Sequence, residues 1–188
     1  MEKDYQQKRV TMIEVNNNLF EKALIFATKA HRGQSRKGNG LPYIVHPMQV
    51  CMVLQEVKES KNIILLMTAA LLHDCVEDCG VSIKKISKKF GLHVASLVEE
   101  LTLNKEMYET VGKTKLLCQE VIKMSSYALC MKLADRLINV RDTKSMPKDF
   151  KVRYFAETKE IIKTLEDKRK LTGTHKKLIK LIKKVIEC

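Results

Sequence analysis

The run AALLHDCVEDCG, residues 69–80, places four ionisable side chains at the end of an apolar segment: His73, Asp74, Glu77 and Asp78. Left buried and unpaired, groups of this kind cost roughly several kcal/mol. At helical spacing residues 73 and 77 share one face and 74 and 78 the next, so all four can line one wall of a pocket. A divalent cation would compensate them, with a neutral imidazole nitrogen and hard carboxylate oxygens as donors. A helix end that turns its acidic cluster into water would compensate them equally well. The run MKLADRLINVRD, residues 131–142, repeats the pattern, because Asp135 closes an apolar stretch and shares a face with Asn139, with Arg136 and Arg141 nearby. A helix with an internal Asp–Arg pair explains this run as simply. His46, in PYIVHP, stands between Tyr43 and Pro47 where a loop meets a helix. Alone it reads as a structural histidine as readily as a ligand.

The elements that must position these residues are helical. Of 188 residues, 45% are apolar and 30% charged, with only 7 Gly and 3 Pro to interrupt them. That balance suits a globular chain, and the scarcity of breakers favours helix. Asn18, with Glu21 three residues on, predicts a helix start, and Leu19, Ala23, Phe26, Ala27 and Ala30 form its apolar face. Residues 32–46, with three glycines and Pro42, predict a loop. Helices are then expected from Pro47 to about 58 and, capped by Asn62 and ended by Gly80, over 63–78. Others follow from Ser82 to Gly91 and over 93–101, 110–123, 126–142, 149–169 and 174–187. These make about nine helices and no strand, an all-α bundle. No internal repeat or linker divides the chain, so residues 1–188 are read as one domain.

The chain carries 35 Lys and Arg against 22 Asp and Glu, a formal charge of +13. Such a balance suits an anionic partner: nucleic acid, a membrane surface or a phosphate-rich small molecule. No apolar run reaches the roughly 18 residues that span a bilayer. The first 18 residues contain no apolar leader segment. The six cysteines include no C-x-x-C pair and read as reduced thiols, so a cytoplasmic location is expected. In THKKLIKLIKKVIEC, residues Leu178, Leu181, Ile182, Val185 and Ile186 form a stripe among lysines. The stripe is expected to pack on the domain rather than on a membrane or a partner.

Taken together, His46, His73-Asp74 and Asp135 on separate helices resemble the pattern of the HD-domain phosphohydrolases. Four runs narrow the resemblance: KAHRGQSRKGNGLPYIVHP, AALLHDCVEDCG, FGLHVASLVEELT and MKLADRLINVRD. In this order, between about residues 19 and 163, they look like the hydrolase domain of the bacterial enzymes that make and break the alarmone (p)ppGpp. The long bifunctional enzymes carry a synthetase domain after this one, for which 188 residues leave no room. The chain therefore resembles the stand-alone small alarmone hydrolases more closely.

The resemblance implies that His46, His73, Asp74 and Asp135 are metal ligands, with Mn²⁺ the family's usual ion. It implies that Glu77 and Asp78 orient the attacking water and move its proton, without saying which is the base. Arg36 would pack on a guanine face, Lys37 would lie near the phosphates, Asn139 would contact the sugar, and Tyr154 in VRYFAET would line the pocket. Arg32 and Lys132 are further candidates. The implied reaction removes the 3′-diphosphate of ppGpp or pppGpp, giving GDP or GTP and pyrophosphate. The implied partner is this small guanine nucleotide; neither nucleic acid nor a membrane is expected.

The chain departs from the family pattern at Cys79, where Thr is usual, at Cys75 in an interior position, and at Ile138, where His or an aromatic residue is common. Three other readings stay open at this level. One is a zinc site of Cys75, Cys79 and His73. Another is an HD phosphohydrolase for NADPH or another nucleotide. The last is a basic helical nucleic-acid-binding protein, which leaves the metal-type donor set unexplained.

Overall fold

In the computed structural model of the chain, residues 18–58, 60, 62–103 and 105–187 are described. The expected leaderless segment 1–17 and the thiol of Cys188 lie outside the described residues. The elements run α1 (18–30), α2 (Val45–Val57), α3 (Ile63–Leu72), α4 (Cys75–Cys79), α5 (Ile83–Phe90), α6 (Leu92–Leu101), α7 (Lys105–Val111), α8 (Lys113–Lys123), α9 (Ser126–Asp142), a 3-10 turn (Thr143–Ser145), α10 (Lys148–Lys168) and α11 (Gly173–Glu187). Among the described residues there is no strand, only an isolated bridge between Ser35 and Pro42 in the loop after α1. The fold is all-α.

α3 (IILLMTAALL) is apolar on every side, and such a helix is stable only with neighbours all round. Leu66, Ala69, Ala70, Leu71 and Leu72 are completely buried. α2, α6 and α9 pack around it, and α11 lies across α9 and α2. One hydrophobic cluster runs from Ala23 in α1 to Ile182 in α11.

Two expected helices are interrupted. The run 63–78 breaks at His73-Asp74 into α3 and α4. Here the His73 Nδ1–H donates to the Ala70 carbonyl at 2.7 Å, taking an acceptor that the continuing helix would use. Asp74 then sits at φ −93°, ψ −5°, and helical bonding resumes with Asp78 N–H to the Asp74 carbonyl. The run 110–123 is cut at Gly112, whose φ of +85° only glycine adopts readily. With α7 added, eleven α-helical segments stand among the described residues where about nine were expected. Gly38 matters for a different reason. A Cβ there would meet the Ser145 carbonyl oxygen at 3.0 Å, so its absence lets the loop after α1 close on the end of α9.

The amphipathic tail packs inward. Leu178, Ile179 and Ile182 of α11 are buried, and Leu181, Val185 and Ile186 border the same cluster. No helix among the described residues is long and apolar enough to cross a membrane. Leu178→Ala should lower unfolding free energy by about 2–4 kcal/mol, since it leaves a cavity between α11 and its neighbours. Urea denaturation followed by circular dichroism measures this. A loss near zero would mean that α11 is not docked.

Candidate active site

Four side chains from three stretches of the chain meet at the end of the central helix. His46 comes from the first turn of α2, His73 and Asp74 from the break after α3, and Asp135 from the middle of α9. Donor atoms of His46, His73 and Asp135 all lie within 4.8 Å of one another. His46 Nε2 is 3.1 Å from Asp135 Oδ1 and 3.8 Å from Asp74 Oδ2. His73 Nε2 is 3.0 Å from Asp74 Oδ2 and 3.9 Å from Asp135 Oδ1. Both imidazoles and Asp135 are buried.

The orientation of His73 tests whether this set fits a metal. Its Nδ1–H is tied to the Ala70 carbonyl, so in the neutral ring Nε2 carries the lone pair. That Nε2 is buried and has no hydrogen-bond partner among the described residues. The Asp74 oxygen lies 3.0 Å from it, close enough for charge attraction. A buried nitrogen lone pair aimed among two carboxylates and a second imidazole is the arrangement a divalent cation satisfies. The donor set therefore fits a divalent metal.

Without the ion, the groups balance one another as charges. Burial pushes His73 down, but the carboxylates of Asp74 and Asp135 outweigh it and hold the imidazole up, to about 9. Burial opposes ionisation of Asp74, yet the adjacent His73 keeps it well below the usual carboxylate range. Asp135 is held low in the same way, against burial, by the hydrogen bond from His46 and the charge of Lys132.

Two cavities join above this cluster. The inner one, about 150 Å³, reaches His46, Asp74, Glu77 and Asp135. The outer one, about 580 Å³, is lined by Lys37 and Phe150, among others. Both are bordered by Arg36, Tyr43, Asp78, Lys113, Asn139 and Tyr154, so together they form one cleft.

The residues expected from sequence occupy this cleft in different ways. Glu77 opens onto the inner cavity, while Asp78 borders both. Arg36 donates through Nε and Nη2 to Asp142 Oδ2, at 3.0 and 2.8 Å, and through Nη2 to Asn139 Oδ1. Asn139 in turn donates to Asp135 Oδ1. Both ends of its amide are thus engaged, and each end keeps capacity for one further bond, such as one to a sugar hydroxyl. Tyr154 stacks on Phe150, with centroids 5.7 Å apart, and lies under the Arg136 guanidinium. Lys132 stands 3.7 Å from Asp135. Arg32 borders neither cavity.

The zinc set of Cys75, Cys79 and His73 is not assembled. The two thiols meet His31 instead, with Cys79 Sγ 3.2 Å from its Nδ1 and Cys75 Sγ 3.7 Å from its Nε2. His73 faces the other way, into the carboxylates. Burial pushes the Cys75 thiol up to about 12 and raises Cys79 as well, so neither is a ready thiolate.

Sequence reading missed the role of Tyr43. Its hydroxyl donates to Asp74 Oδ2 at 2.6 Å and lies 3.3 Å from Asp78 Oδ2. It therefore couples the donor cluster to the acidic pair. Burial and the Asp74 charge both raise its pKa, so it remains a donor. Its ring stacks on His31, with centroids 4.6 Å apart. The signal was present, as Tyr43 stands three residues before His46, but spacing alone does not show where a loop residue points. Lys113 and Phe150 were also missed, and nothing in their local sequence marks them.

The profile of the HD domain family matches residues 23–170. The human guanosine-3′,5′-bis(diphosphate) 3′-pyrophosphohydrolase MESH1 is 34% identical over 164 residues, covering 84% of this chain and 87% of its own. The GTP pyrophosphokinase rsh of Brucella melitensis is 34% identical over 154 residues, which are 79% of this chain but 20% of that protein. The chain thus spans about a fifth of the length of that relative. A solved structure described as a metazoan ortholog of SpoT that hydrolyzes ppGpp superposes with a TM-score of 0.74 at 29% identity. It covers 88% of this chain and 94% of its own.

Proposed function

The chain belongs to the HD domain family, and we propose that it acts as a single-domain, metal-dependent phosphohydrolase on ppGpp or pppGpp, releasing pyrophosphate and GDP or GTP. The observation that carries this reading is the orphaned His73 Nε2 among Asp74, Asp135 and His46, at the base of a cleft that Glu77 and Asp78 border. The similarity to human MESH1 over most of both chains supports the choice of substrate.

His46, His73, Asp74 and Asp135 would hold the ion, for which we propose Mn²⁺. When bound it supplies positive charge beside the diphosphate and lowers the pKa of water. The remaining work falls to side chains of the cleft. Glu77, open to the inner cavity, takes the proton of the attacking water. Asp78, held near the Tyr43 hydroxyl, orients that water. The water oxygen forms a bond to the phosphorus attached at the 3′ oxygen. The bond from phosphorus to that oxygen breaks, and the oxygen leaves as the 3′-hydroxyl with the proton that Glu77 took from the water. Lys37 and Lys113 offset the negative charge of the phosphates. The N–H edge of Arg36 is bonded to Asp142, which fixes the guanidinium plane for stacking on guanine. The stacked Tyr154–Phe150 pair walls the base from water.

Incubating the protein with Mn²⁺ and ppGpp should release pyrophosphate, and chelation should stop it. NADPH and deoxynucleoside triphosphates, followed by the phosphate or triphosphate they would release, should be poorer substrates. Turnover of one of them but not of ppGpp would overturn the substrate.

The charge balance predicts a pH effect on the metal-free protein. The folded-state value of about 9 for His73 exceeds its ordinary 6.5. Its imidazolium therefore adds stability that is full below pH 6.5 and is lost as pH rises through about 9. Chelated protein should melt at progressively lower temperature across that window. Metal-loaded protein, in which the ion takes the proton's place, should melt higher and change less. Scanning calorimetry in both states measures this, and a flat chelated profile would contradict a charged His73.

A further inference from the structure

A second cavity, about 940 Å³, opens between α1 and α5 and shares no lining residue with the cleft above the donor cluster. Four lysines border it, Lys22 and Lys29 from α1 and Lys85 and Lys89 from α5, and among the described residues no carboxylate does. All four are exposed. An unbalanced group of four like charges around a concavity raises the local potential and concentrates anions there.

The floor of this cavity is aromatic rather than polar. Phe26 meets Phe90 edge to face, with centroids 5.4 Å apart and planes at 78°. The ammonium groups of Lys85 and Lys89 lie 5.8 and 6.0 Å from the Phe26 ring centroid. An apolar ring, Phe26, with cations about it matches a ligand that is planar at one end and polyanionic at the other. A base of any sequence can stack on an aromatic ring, because every base presents a π-face. Lysine ammoniums bind phosphate as point charges. The volume lies in the range of ordinary small-molecule sites and exceeds that of either part of the cleft.

We propose that the cavity between α1 and α5 is a separate binding site for a nucleoside polyphosphate, its base on Phe26 and its phosphates among Lys22, Lys29, Lys85 and Lys89. The site stands independently of the reaction assigned to the cleft, because it shares no residue with it.

Lysine footprinting of the full chain tests this. The protein is acetylated with and without GTP, in chelator, and each lysine is quantified by mass spectrometry. GTP should protect Lys85 and Lys89 several-fold, whatever happens at Lys37 and Lys113 in the cleft. The double variant Lys85→Glu/Lys89→Glu, altered only on the surface, should lose at least tenfold in GTP affinity at this site by calorimetry. Lys22 and Lys29 should lose their protection with it. Protection confined to Lys37 and Lys113, or spread evenly over all lysines, would overturn the site. Equal protection by inorganic tripolyphosphate at the same concentration would show that the aromatic floor contributes nothing, and would overturn the nucleotide.

Discussion

Asp135→Asn is expected to weaken metal binding by about a hundredfold or more, since even partners behind the ligands are worth 10–100-fold. Hydrolysis should fall with it. Asp135 Oδ1 lies 3.1 Å from His46 Nε2 and 3.9 Å from His73 Nε2, so this carboxylate ties the two imidazoles together. Asparagine keeps the shape and loses the charge. It would also face Asn139, which donates to that same oxygen, with an uncharged acceptor at best. Removing the charge takes away one of the two carboxylate charges that hold His73 in its charged form in the metal-free state. The variant should therefore also flatten the fall in stability between pH 6.5 and about 9. Equilibrium dialysis against Mn²⁺ gives the affinity, and far-ultraviolet circular dichroism shows whether the helices persist. A folded variant that binds the ion as well as the parent would remove Asp135 from the donor set.

Glu77→Gln should leave the ion bound and slow turnover by about 10²–10⁴, the usual contribution of a positioned acid or base. Glu77 lies one helical turn beyond His73 on the far side of the break, and it borders the inner cavity beside the donors. The amide is nearly the same size and cannot take a proton from water. Loss should appear in kcat with little change in KM, because Glu77 does not border the outer cavity where the base would sit. Asp78→Asn should cost less if Asp78 orients water rather than accepting its proton. Glu77→Gln turning over at the parent rate while Asp78→Asn is inert would exchange the two roles. The contrast between the two predictions is diagnostic. Loss at Asp135 follows the ion, whereas loss at Glu77 occurs with the ion in place.

Much of this architecture can be read along the chain. The apolar run before His73 identifies a central helix, and α3 is the most completely buried of them. The expected span 126–142 agrees with α9 to the residue, and Ser125 caps it by accepting from the Ala128 N–H. The stripe on the tail tells which face of α11 is buried. The break at His73-Asp74 is not legible. Periodicity continues through it, and only the bond from the His73 ring to the Ala70 carbonyl redirects the backbone.

For the site the division is similar. Charged residues at the ends of apolar runs mark His73, Asp74 and Asp135, because their burial demands compensation. Spacing within a helix says which residues share a face, not which residue of another helix they meet. It left open a zinc set of His73 with Cys75 and Cys79, whereas packing gives those thiols to His31 and turns His73 toward Asp74 and Asp135. The resemblance implied separate contacts for Arg36 and Asn139, whereas they bond each other and reach Asp142 and Asp135. Tyr43 gained its place only when the loop after α1 folded over the end of α3.

The amino-acid sequence by itself determined that the chain is helical, where its apolar core runs, and which charged groups that core strands at its edge, since these follow from local periodicity and from the cost of desolvation. The tertiary structure alone decided which stranded groups face one another, because that depends on how helices far apart in the chain pack. Electrostatic compensation falls off over a few ångströms, and only packing brings distant residues that close.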